Sequence, residues 1–334
     1  MSATDGERPV RVAVAGLGYW GPNIARNLAA IEGCEVAWLC DESEEKRDAI
    51  ARSFPGARLT AELAEVLADE TLDAVALATP VPSHADLAVA VLDAGKDCFV
   101  EKPLATNVPD AERAVAAAEH SGRVLMVGHL LEYHPAVTRL KALIDADELG
   151  ALYYIYGNRL NLGKLRADEN ALWSLGAHDV SVALHLIGEE PVECLAQGAS
   201  YVRQPVEDVA FCFLRFPSGV VAHLHLSWLD PHKERRVTVV GSKRMATFDD
   251  MLIEGKLTVY DKGFDEDTSS WGEYIARSGD TFSPRIPNRE PLRLELEHFL
   301  ECVRTRSRPR SDGASGLRVV RVLEALQGSL DAGR

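Results

Sequence analysis

The sequence has few cysteines, no long apolar run and a shortage of basic residues. Its six cysteines are scattered over 334 residues without a CxxC pair, so they predict small buried side chains in a reducing compartment rather than disulfides or a zinc site. No apolar stretch approaches the roughly 20 residues of a membrane-spanning helix. The polar start MSATDGERPV lacks the pattern of a signal peptide. We therefore expect a cytoplasmic protein with no membrane partner.

The charge balance excludes a further class of partner. Lys and Arg number 36 against 51 Asp and Glu, which gives a net charge of -15. Nucleic acid is not expected, because a phosphate backbone requires a basic face. The rest of the composition, 46% hydrophobic and 26% charged, is that of an ordinary globular protein. A chain of 334 residues exceeds what one core usually holds, so two domains are predicted.

The first 128 residues alternate short apolar strands with helical segments. The strand candidates are VRVAVAG, CEVAWLCD, LDAVALATP, DCFVEKP and RVLMVGH, with segments such as GPNIARNLAAIEG and HADLAVAVLDAG between them. This alternation predicts a parallel sheet with right-handed crossovers, and residues 1–128 are assigned to a Rossmann-type domain. Ser83 with Asp86 predicts a capping-box helix start, and Gly95 and Gly122 are expected at helix C-termini.

Residues 129–334 have a different pattern. One helix is predicted at about 177–187, and strand candidates then follow one another without helices: PVECLAQGASYV, EDVAFCFLRFPSG, VVAHLHLSW, RRVTVVGSKRMATF and KLTVYDKG. Such a run predicts an antiparallel sheet, and helical periodicity returns in PLRLELEHFLECVRTR and SGLRVVRVLEALQGSL. The predicted fold class is therefore α/β, a Rossmann domain plus an α+β domain with a large, mostly antiparallel open sheet. Substrate binding and oligomerisation are assigned to this second domain, whose C-terminal helix is free to pack back on the first.

A glycine motif and an aspartate predict the cofactor. Gly16, Gly18 and Gly21 form GxGxxG between the first strand and the first helix, where a pyrophosphate approaches the backbone at a helix N-terminus. The alternative is a glycine-rich turn without a ligand. Asp41 ends the second strand about twenty residues later, where a carboxylate binds the ribose. Its neighbours are acidic and no arginine adjoins it for a 2'-phosphate, so NAD is predicted rather than NADP.

The segment ATPVPSHADLAVAVLDAGKDCFVEKPLA resembles the glucose-fructose oxidoreductase / inositol dehydrogenase (Gfo/Idh/MocA) family. The family signature is a Rossmann strand that ends in Glu-Lys-Pro, here Glu101, Lys102 and Pro103. The resemblance implies that Lys102 contacts the substrate beside the nicotinamide. The alternative is a surface lysine, but the following proline restricts its backbone. The implied cofactor-binding residues are Gly16, Gly18, Tyr19, Trp20, Gly21, Asp41, Thr79, Pro80, His84, Glu101 and Lys102.

Three later segments extend the resemblance to the branch of this family that oxidises nucleotide-linked sugars at C3. They are VGHLLEYHPAV, NRLNLGKLRADENALWSLGAHDVS and SWLDPHKERRVTVVGSKRMATFDD. The implied activity is hydride transfer between a sugar or nucleotide sugar and NAD. The predicted substrate-binding residues are Lys102, Arg159, Asn161, Arg166, Asn170, Trp173, Ser174 and His178. For the arginines and asparagines among them, solvated loop polarity is an equal alternative.

His178 is the candidate base. Oxidation of an alcohol removes a proton from oxygen, so a base must contact the hydroxyl, and imidazole titrates near neutral pH. The resemblance places this histidine on the active-site helix facing the nicotinamide; the alternative is a core or capping histidine. Many family members have an aspartate where this chain has Ser174, so Lys102 and His178 are predicted as the catalytic pair. Asp179 points about 100° away and is expected to pair elsewhere.

Other functions and assemblies stay open at this stage. His223 and His225 share a strand face at a spacing that metals use, but without a cysteine or carboxylate cluster no metal is predicted. A glycoside hydrolase that oxidises C3 transiently with retained NAD, and a non-catalytic NAD-binding regulator, are the alternative functions. A homodimer or homotetramer is predicted, because the antiparallel sheet has a face to cover and the predicted helices of the same chain are too few to cover it.

Overall fold

The structure is a computed structural model that describes residues 8–163, 165–166, 169–266 and 274–333. By its internal contacts the chain divides into two compact units. The first unit comprises the residues up to Tyr133 together with Arg289–Val320, and the second comprises His134–Asn288 and the residues from Arg321 onward. Among the described residues, each unit contains one sheet.

The first unit is a six-stranded parallel sheet with helical crossovers. Its strands are β1 (Val10–Ala15), β2 (Cys34–Cys40), β3 (Arg58–Thr60), β4 (Ala74–Leu77), β5 (Asp97–Glu101) and β6 (Leu125–Gly128). The helices between them are α1 (Gly21–Ala29), α2 (Glu44–Ala51), α3 (Leu63–Leu67), α4 (His84–Asp93) and α5 (Val108–Ser121). The strand order is β3-β2-β1-β4-β5-β6 with every pair parallel. The predicted Rossmann domain is confirmed, and its order reverses between β1 and β4, where such sheets bind ligands.

The helix ends of this unit test the capping predictions. Gly95 and Gly122 have positive φ values of 70° and 64° at the ends of α4 and α5, as expected. The capping box at Ser83 is wrong, because its side chain makes no cap hydrogen bond. The Ser83 hydroxyl instead donates to the Pro80 carbonyl at 2.8 Å, and its oxygen lies 2.9 Å from Thr79 Oγ1.

A helix from the C-terminal part of the chain completes the first unit. Helix α8 (Pro291–Thr305) buries one apolar face, on which Phe299 packs against Phe99 with ring centroids 5.7 Å apart. Arg293 Nη2 donates to the Ala30 carbonyl at 2.7 Å, and Arg304 Nη2 to the Gly33 carbonyl at 2.7 Å. The segment 289–320 therefore belongs to the same compact unit as the Rossmann sheet.

The second unit contains an eight-stranded, mostly antiparallel sheet, as predicted. Its strands are β7 (Leu152–Leu162), β8 (Glu193–Ala199), β9 (Val209–Arg215), β10 (Val221–Ser227), β11 (Leu229–Gly241), β12 (Met245–Asp249), β13 (Leu257–Glu266) and β14 (Tyr274–Phe282). Their order is β14-β13-β12-β11-β7-β10-β9-β8, and β7 with β10 is the parallel pair. Two of these strands, β7 and β14, were not among the sequence candidates.

One face of this sheet is buried and the other is exposed. On β9, Ala210, Cys212 and Leu214 are buried, whereas Phe211 and Arg215 on the opposite face are exposed. The described residues also form helices α6 (Pro135–Asp145), α7 (Ala177–Ile187) and α9 (Gly313–Ala332). Helix α7 lies on the buried face, where its Asp179 pairs with Arg159 of β7. No helix in the described ranges has the length and apolarity needed to cross a bilayer.

Candidate active site

The glycine loop lies between β1 and α1, and its backbone is closely packed at Gly16 and Gly21 but open at Gly18. Gly16 has φ 90°, and a Cβ there would lie 2.5 Å from the carbonyl carbon of Ala78. A Cβ on Gly21 would overlap the carbonyl oxygen of Gly16, so both positions require glycine. A Cβ on Gly18 would meet no atom within 4 Å. This open side at the N-terminus of α1 fits a pyrophosphate.

Two aromatic residues of the predicted cofactor set follow within the same loop. Tyr19 is 83% exposed, and its ring packs edge-on against the half-buried Trp20 at a centroid distance of 5.7 Å. The Trp20 carbonyl accepts from the Ile24 N–H at 3.0 Å and so starts α1. The Tyr19 ring is therefore accessible to a ligand at the loop.

Asp41 is held firmly at the end of β2. Its Oδ2 accepts from the Leu17 N–H at 2.7 Å, and its Oδ1 accepts from the Ser43 N–H at 2.9 Å. Burial alone would raise the pKa of this carboxyl, but the two N–H groups and Lys46 lower it below its ordinary value. The carboxylate is therefore ionised and fixed at the end of β2, the position at which Rossmann-type domains generally bind the cofactor ribose.

The sequence interpretation missed the cations beside Asp41. Lys46 Nζ lies 3.3 Å from both carboxylate oxygens, and Arg47 Nη1 donates to the Asp41 carbonyl at 2.6 Å. The sequence prediction that no arginine adjoins Asp41 is therefore wrong for the folded chain, because the Arg47 guanidinium contacts the Asp41 backbone. Both cations lie on α2, one turn after the strand, and the helical periodicity of that segment was the signal that could have found them.

The carboxyl end of β5 presents the Glu-Lys-Pro motif. Glu101 is 6% exposed, and burial raises its pKa to about 7, although the charge and the N–H of Lys102 act in the opposite direction. The Lys102 N–H donates to Glu101 Oε2 at 3.3 Å. The Lys102 side chain is partly exposed, and the Lys102–Pro103 peptide bond is cis. The structure thus places Lys102 at the same sheet edge as Gly16, Asp41 and Thr79.

Two buried polar residues near this edge were also missed. His129 follows β6 directly and is fully buried, and neither ring nitrogen has a hydrogen-bond partner among the described residues. Burial, with a contribution from Lys102, lowers its pKa to about 3, so the ring is neutral. Glu295 on α8 is also fully buried, and burial together with Glu101 and Glu132 raises its pKa well above the ordinary value. The position of His129 after a buried strand was a sequence signal, whereas nothing in the periodicity of α8 marked Glu295.

In the second unit, Asn170 organises the turn that leads into α7. It is 8% exposed, its amide donates to Glu207 Oε2 at 2.8 Å and to Gln327 Oε1 at 2.9 Å, and its Oδ1 accepts from the Trp173 N–H at 3.1 Å. A π-helical turn, Leu172–Gly176, follows and carries the partly exposed Trp173 and Ser174. The contacts of Asn170 favour a structural role over direct substrate binding.

His178 lies in the first turn of α7 and is partly exposed. Ser174 precedes it by four residues, so the two side chains share one helical face. Asp179 is 2% exposed and accepts from Arg159 Nε and, at 3.4 Å, from Arg159 Nη2. Arg159 is 8% exposed, and its guanidinium is bound to Asp179 of α7. The expectation that Asp179 pairs away from His178 is confirmed.

The other predicted substrate residues lie between β7 and Asn170. Asn161 is partly exposed near the end of β7. Arg166 is exposed and pairs with Glu169 at 3.0 Å. Among the residues that the structure describes, no group of three His, Cys, Asp or Glu side chains could hold a metal. His225 stacks on Phe211 with ring centroids 4.5 Å apart.

The Rossmann sheet and its glycine loop define a dinucleotide-binding fold, and comparison with known families identifies the class of protein. Residues 10–129 match the model described as "Oxidoreductase family, NAD-binding Rossmann fold", and residues 137–247 match the "GFO/IDH/MocA C-terminal domain". The chain belongs to the Gfo/Idh/MocA family, and its cofactor is NAD.

Individual relatives are similar along almost the whole chain. A UDP-N-acetylglucosamine 3-dehydrogenase of Acidithiobacillus ferrooxidans is 29% identical over 93% of this chain and 94% of its own length. A scyllo-inositol 2-dehydrogenase (NAD(+)) of Bacillus subtilis is 27% identical over 91% and 89%. The solved structure of the Acidithiobacillus ferrooxidans enzyme superposes with a TM-score of 0.81 at 27% identity, covering 96% of this chain and 97% of its own.

Proposed function

We propose that this protein transfers a hydride between NAD and C3 of a nucleotide-linked sugar. The observation that carries the proposal is the Glu-Lys-Pro motif at the carboxyl end of β5, beside the glycine loop and Asp41. Similarity to a UDP-N-acetylglucosamine 3-dehydrogenase over 93% of the chain supports the substrate class. The bound NAD would supply the hydride acceptor or donor at its nicotinamide ring.

The protein residues would then manage the proton. In the oxidative direction, His178 accepts the proton of the C3 hydroxyl, and Lys102 donates a hydrogen bond to the oxygen as negative charge develops on it. Ser174, on the same helical face as His178, offers a hydroxyl to the sugar. Asp179 does not replace the aspartate that many family members have at position 174, because Arg159 holds it on the buried side of α7.

Recognition of a nucleotide carrier would require cations for its diphosphate. Arg166 is available for this, because its side chain is 55% exposed and its pairing with Glu169 is a surface ion pair. Such pairs stabilise a protein by only about 0–1 kcal/mol, so a diphosphate can displace the carboxylate. Arg159 is a weaker candidate because it is buried against Asp179.

A free cyclic polyol is the second candidate substrate, and similarity to scyllo-inositol 2-dehydrogenase over 91% of the chain favours it. The two candidates differ in the diphosphate, which only the nucleotide sugar has. The predicted cytoplasmic location rests on composition alone and suits either substrate.

The deciding experiment measures NADH formation at 340 nm with UDP-linked, dTDP-linked and GDP-linked hexoses, the corresponding free sugars and a set of inositols. We expect turnover with a nucleotide sugar and little with its free sugar. Arg166→Ala should raise KM for the nucleotide sugar, while Lys262→Ala, a cation change on β13, serves as the control. Turnover of inositols alone would contradict a nucleotide sugar as the substrate and support a polyol. Sugar release without net NADH formation would favour the glycoside hydrolase.

A further inference from the structure

Both ring nitrogens of His84 are engaged by the protein backbone. The residue is 1% exposed, with Nδ1 lying 2.8 Å from the Pro103 carbonyl oxygen and Nε2 lying 2.8 Å from the Thr79 carbonyl oxygen. A carbonyl oxygen only accepts hydrogen bonds, so each contact is a hydrogen bond only when the facing nitrogen carries a proton. Both polar atoms of the His84 side chain are therefore engaged by the protein, and neither is available for the predicted direct contact with the cofactor.

The two carbonyls belong to loops that follow neighbouring strands. Thr79 follows β4 and Pro103 follows β5, and these strands pair in parallel. The adjacent Ser83 hydroxyl donates to the Pro80 carbonyl, and its oxygen lies within hydrogen-bond distance of Thr79 Oγ1. The start of α4 thus holds the Thr79–Pro80 loop through two side chains, and one of these, His84, also reaches the loop of Lys102.

We propose that His84 is a positioning residue that ties the Thr79–Pro80 loop to the Lys102–Pro103 loop, so that NAD affinity and the placement of Lys102 depend on one side chain. The part of this inference that concerns Lys102 rests on the function proposed above. The part that concerns NAD affinity depends only on the geometry of the first unit.

The protonation state of the ring sets how many of the two hydrogen bonds form. A neutral imidazole has one N–H and donates to one carbonyl, whereas the protonated ring donates to both. Burial lowers the pKa of His84, the carbonyls of Pro103 and Thr79 raise it, and the charge of Lys102 lowers it. The tie is therefore stronger at acidic pH, where the ring carries both protons.

The test uses His84→Asn, with His120→Asn as the matched control because His120 is exposed at the end of α5. In protein with 15N-labelled histidine, the ring N–H signal lost in His84→Asn should exchange slowly with water, and the signal lost in the control should not. NAD+ titration by fluorescence should show Kd raised roughly 3- to 10-fold in His84→Asn, the loss expected for one hydrogen bond, and unchanged in the control.

A double-variant comparison separates positioning from general destabilisation. His84→Asn should lower kcat more than it changes KM for the sugar, and in a Lys102→Ala background it should leave the residual kcat unchanged while still weakening NAD+ binding. A destabilised fold would lower kcat in both backgrounds. If His84→Asn does not fold, His84→Gln and the N–H exchange rate in the unmodified protein carry the same test.

The outcomes separate this inference from the proposed function. Rapid ring N–H exchange, or an NAD+ Kd in His84→Asn equal to that of the control, overturns the tie even if sugars are oxidised. A protected ring with weakened NAD+ binding supports the tie even if no sugar is turned over, because neither measurement requires a substrate.

Discussion

At the scale of single residues, we expect Asp41 and Lys46 together to determine the preference for NAD+ over NADP+. Asp41 would repel a 2'-phosphate, but Lys46 lies 3.3 Å from its carboxylate and would attract one. We expect Asp41→Ala to tighten NADP+ binding because Lys46 is then released toward the phosphate. The double variant Asp41→Ala, Lys46→Ala should lose that gain. The measurement is the ratio of Kd values for NAD+ and NADP+, and equal Kd values in the unmodified protein would contradict the assignment.

Lys102 and His178 should fail to act additively. Both are proposed to act on one oxygen, so removal of either leaves little for the other to contribute. His178→Asn should lower kcat by roughly 10² to 10⁴-fold with NAD+ affinity near normal, Lys102→Ala should be comparable, and the double variant should be little worse. The acidic limb of the pH profile for oxidation should depend on His178, because a base must be deprotonated to accept the proton.

Ser174→Ala provides the matched control for these two variants. It lies on the same helical face as His178, but a neutral hydroxyl contact contributes only about 0.5–1.5 kcal/mol. Its effect on kcat/KM should therefore be roughly tenfold at most. Near-normal turnover in His178→Asn would assign that residue to the helix rather than to the chemistry.

The sequence predicted residues whose role follows from local backbone geometry and missed those whose role depends on their neighbours in space. Gly16, Gly21 and Asp41 are marked by strand, turn and helix order, and each has the predicted local environment. His84 and Asn170 were predicted to contact ligands, but each is buried and bonded to groups that sequence spacing does not reveal. Whether a polar side chain serves a ligand or the fold depends on such partners.

At the scale of elements, α8 carries a buried carboxyl that makes stability depend on pH. The pKa of Glu295 is raised in the folded protein, so its contribution to stability is complete below the unfolded pKa and is lost as pH rises. Glu295→Gln removes this titration. We expect the variant to gain in free energy of unfolding relative to the unmodified protein between pH 5 and pH 8, by up to about 1.4 kcal/mol per pH unit.

Glu297, on the same helix, is the control with the opposite sign. Burial raises the pKa of Glu297, but the opposing effect of Arg293 and Arg289 is larger, so the pKa lies below its ordinary value. Its contribution is therefore present at neutral pH and is lost as pH falls, so Glu297→Gln should gain nothing toward pH 8. Urea unfolding at pH 5, 6.5 and 8 measures both variants. Parallel pH dependence of Glu295→Gln and the unmodified protein would contradict a protonated Glu295.

The helices were easier to predict than the central strand of the second sheet. The predicted helix at 177–187 and the helical segment at 291–306 agree with α7 and α8, because apolar periodicity marks both in the sequence. Strand β7 alternates Tyr, Gly, Asn and Arg with a few apolar residues, and it pairs with β10 and β11 from far along the chain. Its burial comes from these partners and from α7, so its own composition does not show it.

At the scale of the whole molecule, the exposed face of the second sheet predicts self-association. Leu195 on β8 and Phe211 on β9 are 50% and 45% exposed, and the strand register places both on the face that carries His225. Large exposed apolar patches are unusual on a monomer. We expect a homodimer or homotetramer that buries this face.

Sedimentation velocity tests this assembly. The unmodified protein should sediment with at least twice the 36.4 kDa mass of the chain, and Phe211→Glu should shift it toward the monomer. Ile253→Glu is the control, since Ile253 is 96% exposed in the turn between β12 and β13. A single 36.4 kDa species at micromolar concentration would contradict the predicted self-association.

The membership of α8 in the first unit has a consequence for protein synthesis. Strands β1 to β6 are translated first. Phe99 can pack against Phe299 only after residue 299 has been made, and Asp97 can accept the 2.7 Å hydrogen bond of Arg306 only after residue 306 has been made. Domains usually fold in the order in which they emerge. Here the nascent Rossmann sheet lacks these contacts until residues 299 and 306 have been translated, and strands β7 to β14 of the second unit are synthesised before then.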